Sequence, residues 1–232
     1  MIYSPNMLKT FDECQYKFFL KYIEKISLPQ RSEIFEKGKK IHALANYYLK
    51  GFDISKMEKT LNADEKAFWE SLKSNKYFKM TSVNTEYNLS CKVDKYWIGG
   101  RLDALMQVDA KGNGEMENGK WKMENFSTHY YILDYKTGNI PQNAENDFQT
   151  IVYLLCADKF LNKKGRYNSL KFVYLGLKNG IEKEIELIET LKKSYEEKIS
   201  QICQKIDFAI NSNVFLKCKD CSVRCEYCKI CS

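Results

Sequence analysis

Asp134 and Lys136 stand two residues apart in Ile132-Leu133-Asp134-Tyr135-Lys136-Thr137-Gly138. In a strand, positions i and i+2 face the same side, so a carboxylate and an ammonium would project together where an apolar run ends. Such a pair costs desolvation unless it has a partner or a task. A second carboxylate, Asp103, lies among Leu102, Ala104 and Leu105 in Gly99-Gly100-Arg101-Leu102-Asp103. Two carboxylates converging with one lysine suit a hard divalent ion such as Mg²⁺ or Mn²⁺. That ion neutralises phosphate charge and lowers the pKa of a bound water, which is the chemistry of phosphodiester hydrolysis. The lysine can orient the water or stabilise developing charge. His42 follows Gly38 by one helical turn, where a glycine permits close approach of another element, and its imidazole could be a further ligand. Gln149 and Tyr153 lie four apart on one helix face, placed to contact substrate backbone or to hold Lys136.

Taken singly, each residue also has a bland reading. Asp-x-Lys on a strand is common, a helical histidine is often structural, and Gln149 and Tyr153 are ordinary helix-surface residues. Their joint order and setting carry the weight.

The periodicity supplies elements to position them. Apolar spacings of three and four predict helices over 7–25, 32–50 and 143–160 and a long one over 184–211, with a more polar helix over 55–74. Ser4-Pro5-Asn6 gives start signals for the first, and Pro29 ends that segment. Strands are expected over 83–92, 95–108, 129–135 and 169–177, with the Gly- and charge-rich 110–124 as a hairpin loop. Helices, a strand meander, then helix, strand and helix predict an α/β or α+β fold with a mixed central sheet.

Composition agrees without deciding. Hydrophobic residues make up 44% of the 232, enough for a real core and against global disorder. The net charge of +7 suits a polyanionic partner, as it does many ordinary proteins. No apolar run approaches the ~20 residues needed to span a membrane. The start, polar and charged within ten residues, reads as neither secretory signal nor anchor, so a cytoplasmic location with reduced thiols is expected.

There, clustered cysteines suggest metal before disulfides. Cys218, Cys221, Cys225, Cys228 and Cys231 crowd the last fifteen residues, in a stretch too short to fold without metal. The gap between Cys221 and Cys225 is shorter than two-knuckle zinc sites normally use. Cys91, Cys156 and Cys203 fall in apolar-patterned elements and read as core residues.

Together these segments resemble the RecB-like branch of the PD-(D/E)XK nuclease superfamily, which includes CRISPR-associated single-strand exonucleases and iron–sulfur nuclease domains of recombination helicase–nucleases. Tyr3-Ser4-Pro5-Asn6-Met7-Leu8 with Phe11, Cys14 and Phe18 is similar to that branch's opening helix. Gly38, Ile41 and His42 are similar to its G-x-x-x-H element, Gly100-Arg101-Leu102-Asp103 to its G-R-x-D strand, and Asp134-Tyr135-Lys136-Thr137-Gly138 to its D-x-K-T-G strand. Gln149 to Tyr153 is similar to its Q-x-x-x-Y helix.

The resemblance implies a restriction-endonuclease-like α/β core, its central mixed sheet flanked by helices, with an N-terminal helical part and a C-terminal Cys-rich tail. Residues 1–213 would form the nuclease domain, and 214–232 a metal-cluster tail closing onto the N-terminal helix. By the same resemblance His42, Asp103, Asp134 and the Tyr135 carbonyl would bind Mg²⁺ or Mn²⁺. Lys136 would be the catalytic lysine, with Gln149 and Tyr153 lining the active-site channel. Glu86, on the strand before G-R-x-D, is read as a member of a cross-strand charge pair. The branch's iron–sulfur members take one cysteine from the opening helix and three from the C-terminus. That implies a [4Fe–4S] cluster on Cys14, Cys221, Cys225 and Cys231, with Cys218 and Cys228 as alternative ligands and Zn²⁺ as the alternative metal. The implied activity is a metal-dependent deoxyribonuclease acting on single-stranded DNA or DNA ends, in repair, recombination or CRISPR adaptation. A separate helicase or CRISPR integrase would be its protein partner. A catalytically silent DNA-binding module and a zinc-binding adaptor are the alternatives.

Overall fold

The computed structural model describes residues 1–28, 33–110, 116–117, 120–121, 127–218 and 225–231, with backbone alone at 33–37, 110, 116–117, 120–121, 229 and 231. A short strand β1 (Ile2–Tyr3) leads into α1 (Pro5–Glu13), whose first turn is capped by the Ser4 hydroxyl accepting from the Met7 amide, with Pro5 at the first helical position. The helix expected over 7–25 is broken at Cys14, where the backbone is extended (φ −162°, ψ 111°). There the Cys14 Sγ accepts from the Lys17 amide and caps α2 (Gln15–Phe18), which runs into a π-helical turn (Phe19–Ile23). Apolar spacing continues across the break, so periodicity alone could not reveal it.

Next come α3 (Glu33–Leu49), the single turn α4 (Ser55–Glu58) and α5 (Ala63–Ser74). The one helix expected over 55–74 is thus two, because Asn62 and Glu65 form a capping box that starts α5 afresh. The hairpin β2 (Thr81–Val93) and β3 (Tyr96–Ala110) turns at Asp94, which adopts φ 52°. Within the expected hairpin loop, the described residues pair as β4 (Met116–Glu117) and β5 (Lys120–Trp121). Then follow β6 (Ser127–Lys136), α6 (Phe148–Asn162), β7 (Ser169–Gly176), β8 (Glu182–Glu186), α7 (Glu189–Ser212) and α8 (Cys228–Cys231).

The single helix expected over 184–211 is a strand followed by a helix. Glu182–Glu186 pairs antiparallel with β7, and α7 begins after Ile188. Ile185, Ile188 and Leu191 fit a helical period as well as a strand followed by a helix, and only the free edge of β7 decides between them.

The sheet runs β1-β3-β6-β7-β8, with β2 on the other edge of β3. It is mixed: β1 lies parallel to β3 and β6 parallel to β7 across the α6 crossover, while β2–β3, β3–β6 and β7–β8 are antiparallel. Each face carries a core. Phe11, Phe18, Ile98, Ile151, Leu155, Phe172 and Ile199 bury one face under α1, α6 and α7. Ile41, Leu44, Trp69, Phe78, Leu133 and Val173 bury the other under α3 and α5. Cys91, Cys156 and Cys203 are buried as expected, with the Cys91 and Cys156 sulfurs 3.4 Å apart. No helix among the described residues is long and apolar enough to cross a membrane.

Candidate active site

The site lies where two central strands part. β3 and β6 pair from Ala110↔Ser127 as far as Ala104↔Leu133 and no further. Beyond that rung the backbone finds other partners, as buried polar groups must. The Tyr135 amide donates to Asp103 Oδ2 (3.0 Å), and the Tyr135 carbonyl lies 3.1 Å from His42 Nε2. The Tyr153 hydroxyl donates to the Arg101 carbonyl (2.7 Å). The fork opens into a cleft of about 1020 Å³ lined by His42, Glu86, Asp103, Asp134, Lys136, Gln149 and Tyr153, with Ser4, Asn6, Lys39 and Tyr47 at its walls.

His42 comes from α3, packed against one sheet face. Its Nδ1 is 3.0 Å from Asp103 Oδ1 and 3.9 Å from Glu86 Oε1. Both ring nitrogens therefore face acceptors, an arrangement that favours the imidazolium. Burial pushes its pKa down, but the Asp103 hydrogen bond and charge, and the Asp134 charge, lift it to about 9.

Asp134 is 3% exposed. Its Oδ1 accepts from Gln149 Nε2, and its Oδ2 is 2.8 Å from Lys136 Nζ. That last contact is a charge pair whose angles fall short of a hydrogen bond, so a buried carboxylate oxygen is left without an aligned donor. Burial raises the Asp134 pKa to about 6, the Asp103 charge adds to the rise, and Lys136 opposes it. Lys136 Nζ also donates to Gln149 Oε1 (2.9 Å), so Gln149 holds both members of the pair.

Glu86 is the residue whose position the sequence could not give. It forms the expected cross-strand pair, Oε2 to Arg101 Nε at 2.8 Å. It also stands in the site: ligand atoms of His42, Glu86 and Asp103 all lie within 4.8 Å of one another, a spacing one cation could bridge. Asp134 is outside that trio, and its oxygens face Gln149 and Lys136. Burial raises the Glu86 pKa first, Arg101 lowers it and Asp103 raises it again. Its backbone is left-handed, φ 47°, in the middle of a strand. An acidic residue in an unstable conformation beside other carboxylates is the kind of strain that functional sites hold.

Two glycines shape the walls. A Cβ on Gly100 would lie 2.9 Å from Tyr153 Cε1 and 3.3 Å from Pro5 Cδ, so α6 reaches the fork only because residue 100 has no side chain. Gly38 abuts Thr137, but a Cβ there would meet Oγ1 at 3.4 Å, an ordinary contact, so close approach does not require a glycine.

At the far end of α1, the Cys14 thiol is buried, which raises its pKa. Hydrogen bonds from the Lys17 amide and from the amide and thiol of Cys218 outweigh that and bring it below the usual range. The Glu226 carboxylate lies 3.9 Å from Lys17 Nζ and 3.8 Å from Lys21 Nζ, and the buried Tyr227 donates its hydroxyl to the Ile26 carbonyl (2.8 Å). Cys225 and Cys228 are among the described residues, whereas Cys221 and the side chain of Cys231 lie outside them.

A crystal structure of a candidate exonuclease from Eubacterium rectale is similar in fold, at TM-score 0.60 and 11% identity, over 99% of this chain and 87% of that one. A second solved structure, SSO0001, is 15% identical over 86% of this chain and 84% of that chain, at a TM-score of 0.31, too low to support an argument. No curated protein matches the sequence significantly. The family model described as the PD-(D/E)XK nuclease superfamily matches residues 2–114 and 122–232, nearly the whole chain and every motif of the cleft. The chain belongs to the PD-(D/E)XK nuclease superfamily.

Proposed function

We propose that the chain is a RecB-like, divalent-metal-dependent deoxyribonuclease that hydrolyses phosphodiesters in single-stranded DNA or at DNA ends, in the cytoplasm. The observation that carries this reading is the convergence of Asp103, Asp134 and Lys136 at the β3–β6 fork, beside His42 and the Tyr135 carbonyl. The donor set is oxygen-rich with one imidazole, which fits Mg²⁺ or Mn²⁺, and the buried Asp134 Oδ2, paired in charge with Lys136 but without an aligned hydrogen-bond donor, can still accept a cation. His42, Asp103, Asp134 and the Tyr135 carbonyl would hold the ion, with Glu86 as a further carboxylate. When bound, the ion supplies charge neutralisation at the phosphate and a lowered pKa for a coordinated water.

The side chains do the positioning. Lys136 presents its ammonium at the mouth of the fork, where it can orient the attacking water or stabilise the charge that develops on phosphorus-bound oxygen. Gln149 is a positioning residue: one amide fixes Asp134 and Lys136 together. Tyr153 keeps α6 against β3 through the Arg101 carbonyl.

A gel assay of end-labelled DNA, with and without EDTA, tests the reading. Cleavage by the wild type that stops with EDTA and in Asp134→Ala is the expected result. Cleavage that survives either change overturns it.

Cys14 with cysteines of the tail is proposed to hold a [4Fe–4S] cluster, with zinc as the alternative. The support is the all-thiol donor set and the contact of Cys14 with Cys218. Its role would be to clamp the chain ends, away from the chemistry. Elemental analysis separates the two metals, and Cys14→Ser should lower both metal content and stability.

A further inference from the structure

Helix α3 carries His42 on the cleft wall and Tyr47 five residues later, and it stops after Leu49 with an unusual pair of rings. The Phe52 amide donates to the Tyr47 carbonyl (3.0 Å) and the Gly51 amide to the Tyr48 carbonyl (2.9 Å), with Gly51 at φ 77°. This is a Schellman stop, and it brings the side chains of Tyr47 and Phe52 together, centroids 5.8 Å apart at 72°. Such a stop needs only an apolar contact, and two aliphatic side chains would supply it. Here both are aromatic, and both stay largely uncovered, 44% for Tyr47 and 59% for Phe52. Tyr47 also lines the catalytic cleft.

The surroundings are cationic. Lys39, on the same helix, lines the cleft, as does Arg101, which is 64% exposed at its side chain. Lys50, one turn from Tyr47, is exposed and close enough for its charge to act on Glu86. Five residues of helix separate Tyr47 from His42, about 7.5 Å along the axis. That spans roughly two stacked nucleotides at about 3.4 Å each.

We infer that the ring pair of Tyr47 and Phe52 is a stacking platform for unpaired bases of the DNA strand whose backbone enters the cleft. The pairing of rings with lysines and an arginine is what single strands bind: bases have π-faces for the rings and phosphates for the cations. A duplex keeps its bases stacked inside and offers the rings nothing. The inference rests on the nuclease reading above and sharpens it, since it makes the preferred substrate an unpaired strand.

The test uses EDTA-treated full-length protein and a fluorescein-labelled twelve-nucleotide single strand, alongside the duplex of the same sequence. The variant is Tyr47→Leu combined with Phe52→Leu, which keeps an apolar contact at the helix stop. Single-strand affinity should fall roughly tenfold to a hundredfold. The duplex affinity and the salt dependence of single-strand binding, which report phosphate contacts, should stay as in the wild type. Unchanged single-strand affinity, or equal losses on single strand and duplex, overturns the platform. Wild-type protein that cleaves DNA with metal while the variant binds normally sinks the platform alone. Wild-type protein that neither cleaves nor binds DNA sinks the nuclease reading and the platform with it.

Discussion

Glu86 stands opposite Asp103 in the register of β2 and β3, and both strands change the face they present at that point. The flanking rungs are Thr85↔Ala104 and Tyr87↔Leu102. Ile98 and Leu102 enter one core, whereas Ala104 and Met106 enter the other, although alternation should keep all four together. On β2, Leu89 and Cys91 join the first core, while Thr85 turns to hydrogen-bond Asn46 of α3. The left-handed φ of Glu86 is where the reversal happens. Like charges directly across a sheet are unfavourable. Arg101, His42 and, in the proposed function, a cation balance this one.

Glu86→Asn should therefore separate stability from function. Asparagine tolerates the left-handed region and carries no charge. Metal-free stability should hold or rise by up to about 1 kcal/mol, since a like-charge pair is removed. The metal concentration for half-maximal cleavage should rise about tenfold or more. Thermal melting and a metal titration of activity check the two arms.

The raised pKa values of His42 and Asp134 give a pH dependence with a definite sign. Both groups hold their protons more tightly in the folded chain. The stabilisation is complete below the ordinary values, 6.5 for His42 and 3.8 for Asp134, and is lost as pH rises through about 9 and about 6 respectively. Metal-free protein should lose thermal stability between pH 6.5 and 9, by at most about 3 kcal/mol. His42→Gln should flatten that slope. Over the same range a divalent cation competes with the His42 proton, so its affinity should climb with pH. Calorimetry in buffers of different ionisation heat should show proton release on binding.

Gln149→Leu should lower turnover by about a hundredfold, because Lys136 and Asp134 lose the group that fixes both and small misplacements at a reacting centre are costly. DNA affinity should change little. A KM rise with unchanged kcat would instead make Gln149 a substrate-binding residue.

Gly100→Ala should destabilise the fold by about 1–3 kcal/mol, the usual cost of overpacking, since the new methyl meets the Tyr153 ring and Pro5. Tyr153→Leu in the same chain should recover part of the loss. Melting temperatures of the two single variants and the double variant decide it.

Most of the site was legible because strands and helices write their facing into residue spacing. Asp134 and Lys136 had to share a side, and Gln149 and Tyr153 had to share a helix face. The role of Glu86 was not legible: its left-handed backbone has no glycine to mark it, and only the register sets it opposite Asp103. Asn46 and Lys39, four after and three before His42, could have been found from helical spacing. The break at Cys14 was hidden because the apolar stripe runs through it. The strand at Glu182–Glu186 was missed because an edge partner, and no local pattern, makes it one.

The central claim is that Lys136, held by Asp134 and Gln149, acts on a metal-bound phosphodiester. The most direct measurement is the single-turnover rate of cleavage of an end-labelled single-stranded oligonucleotide with Mg²⁺ or Mn²⁺, for wild type and Lys136→Ala at saturating protein. The account predicts a loss of about a hundredfold to a thousandfold with the oligonucleotide still bound. A variant that cleaves at the wild-type rate would contradict it.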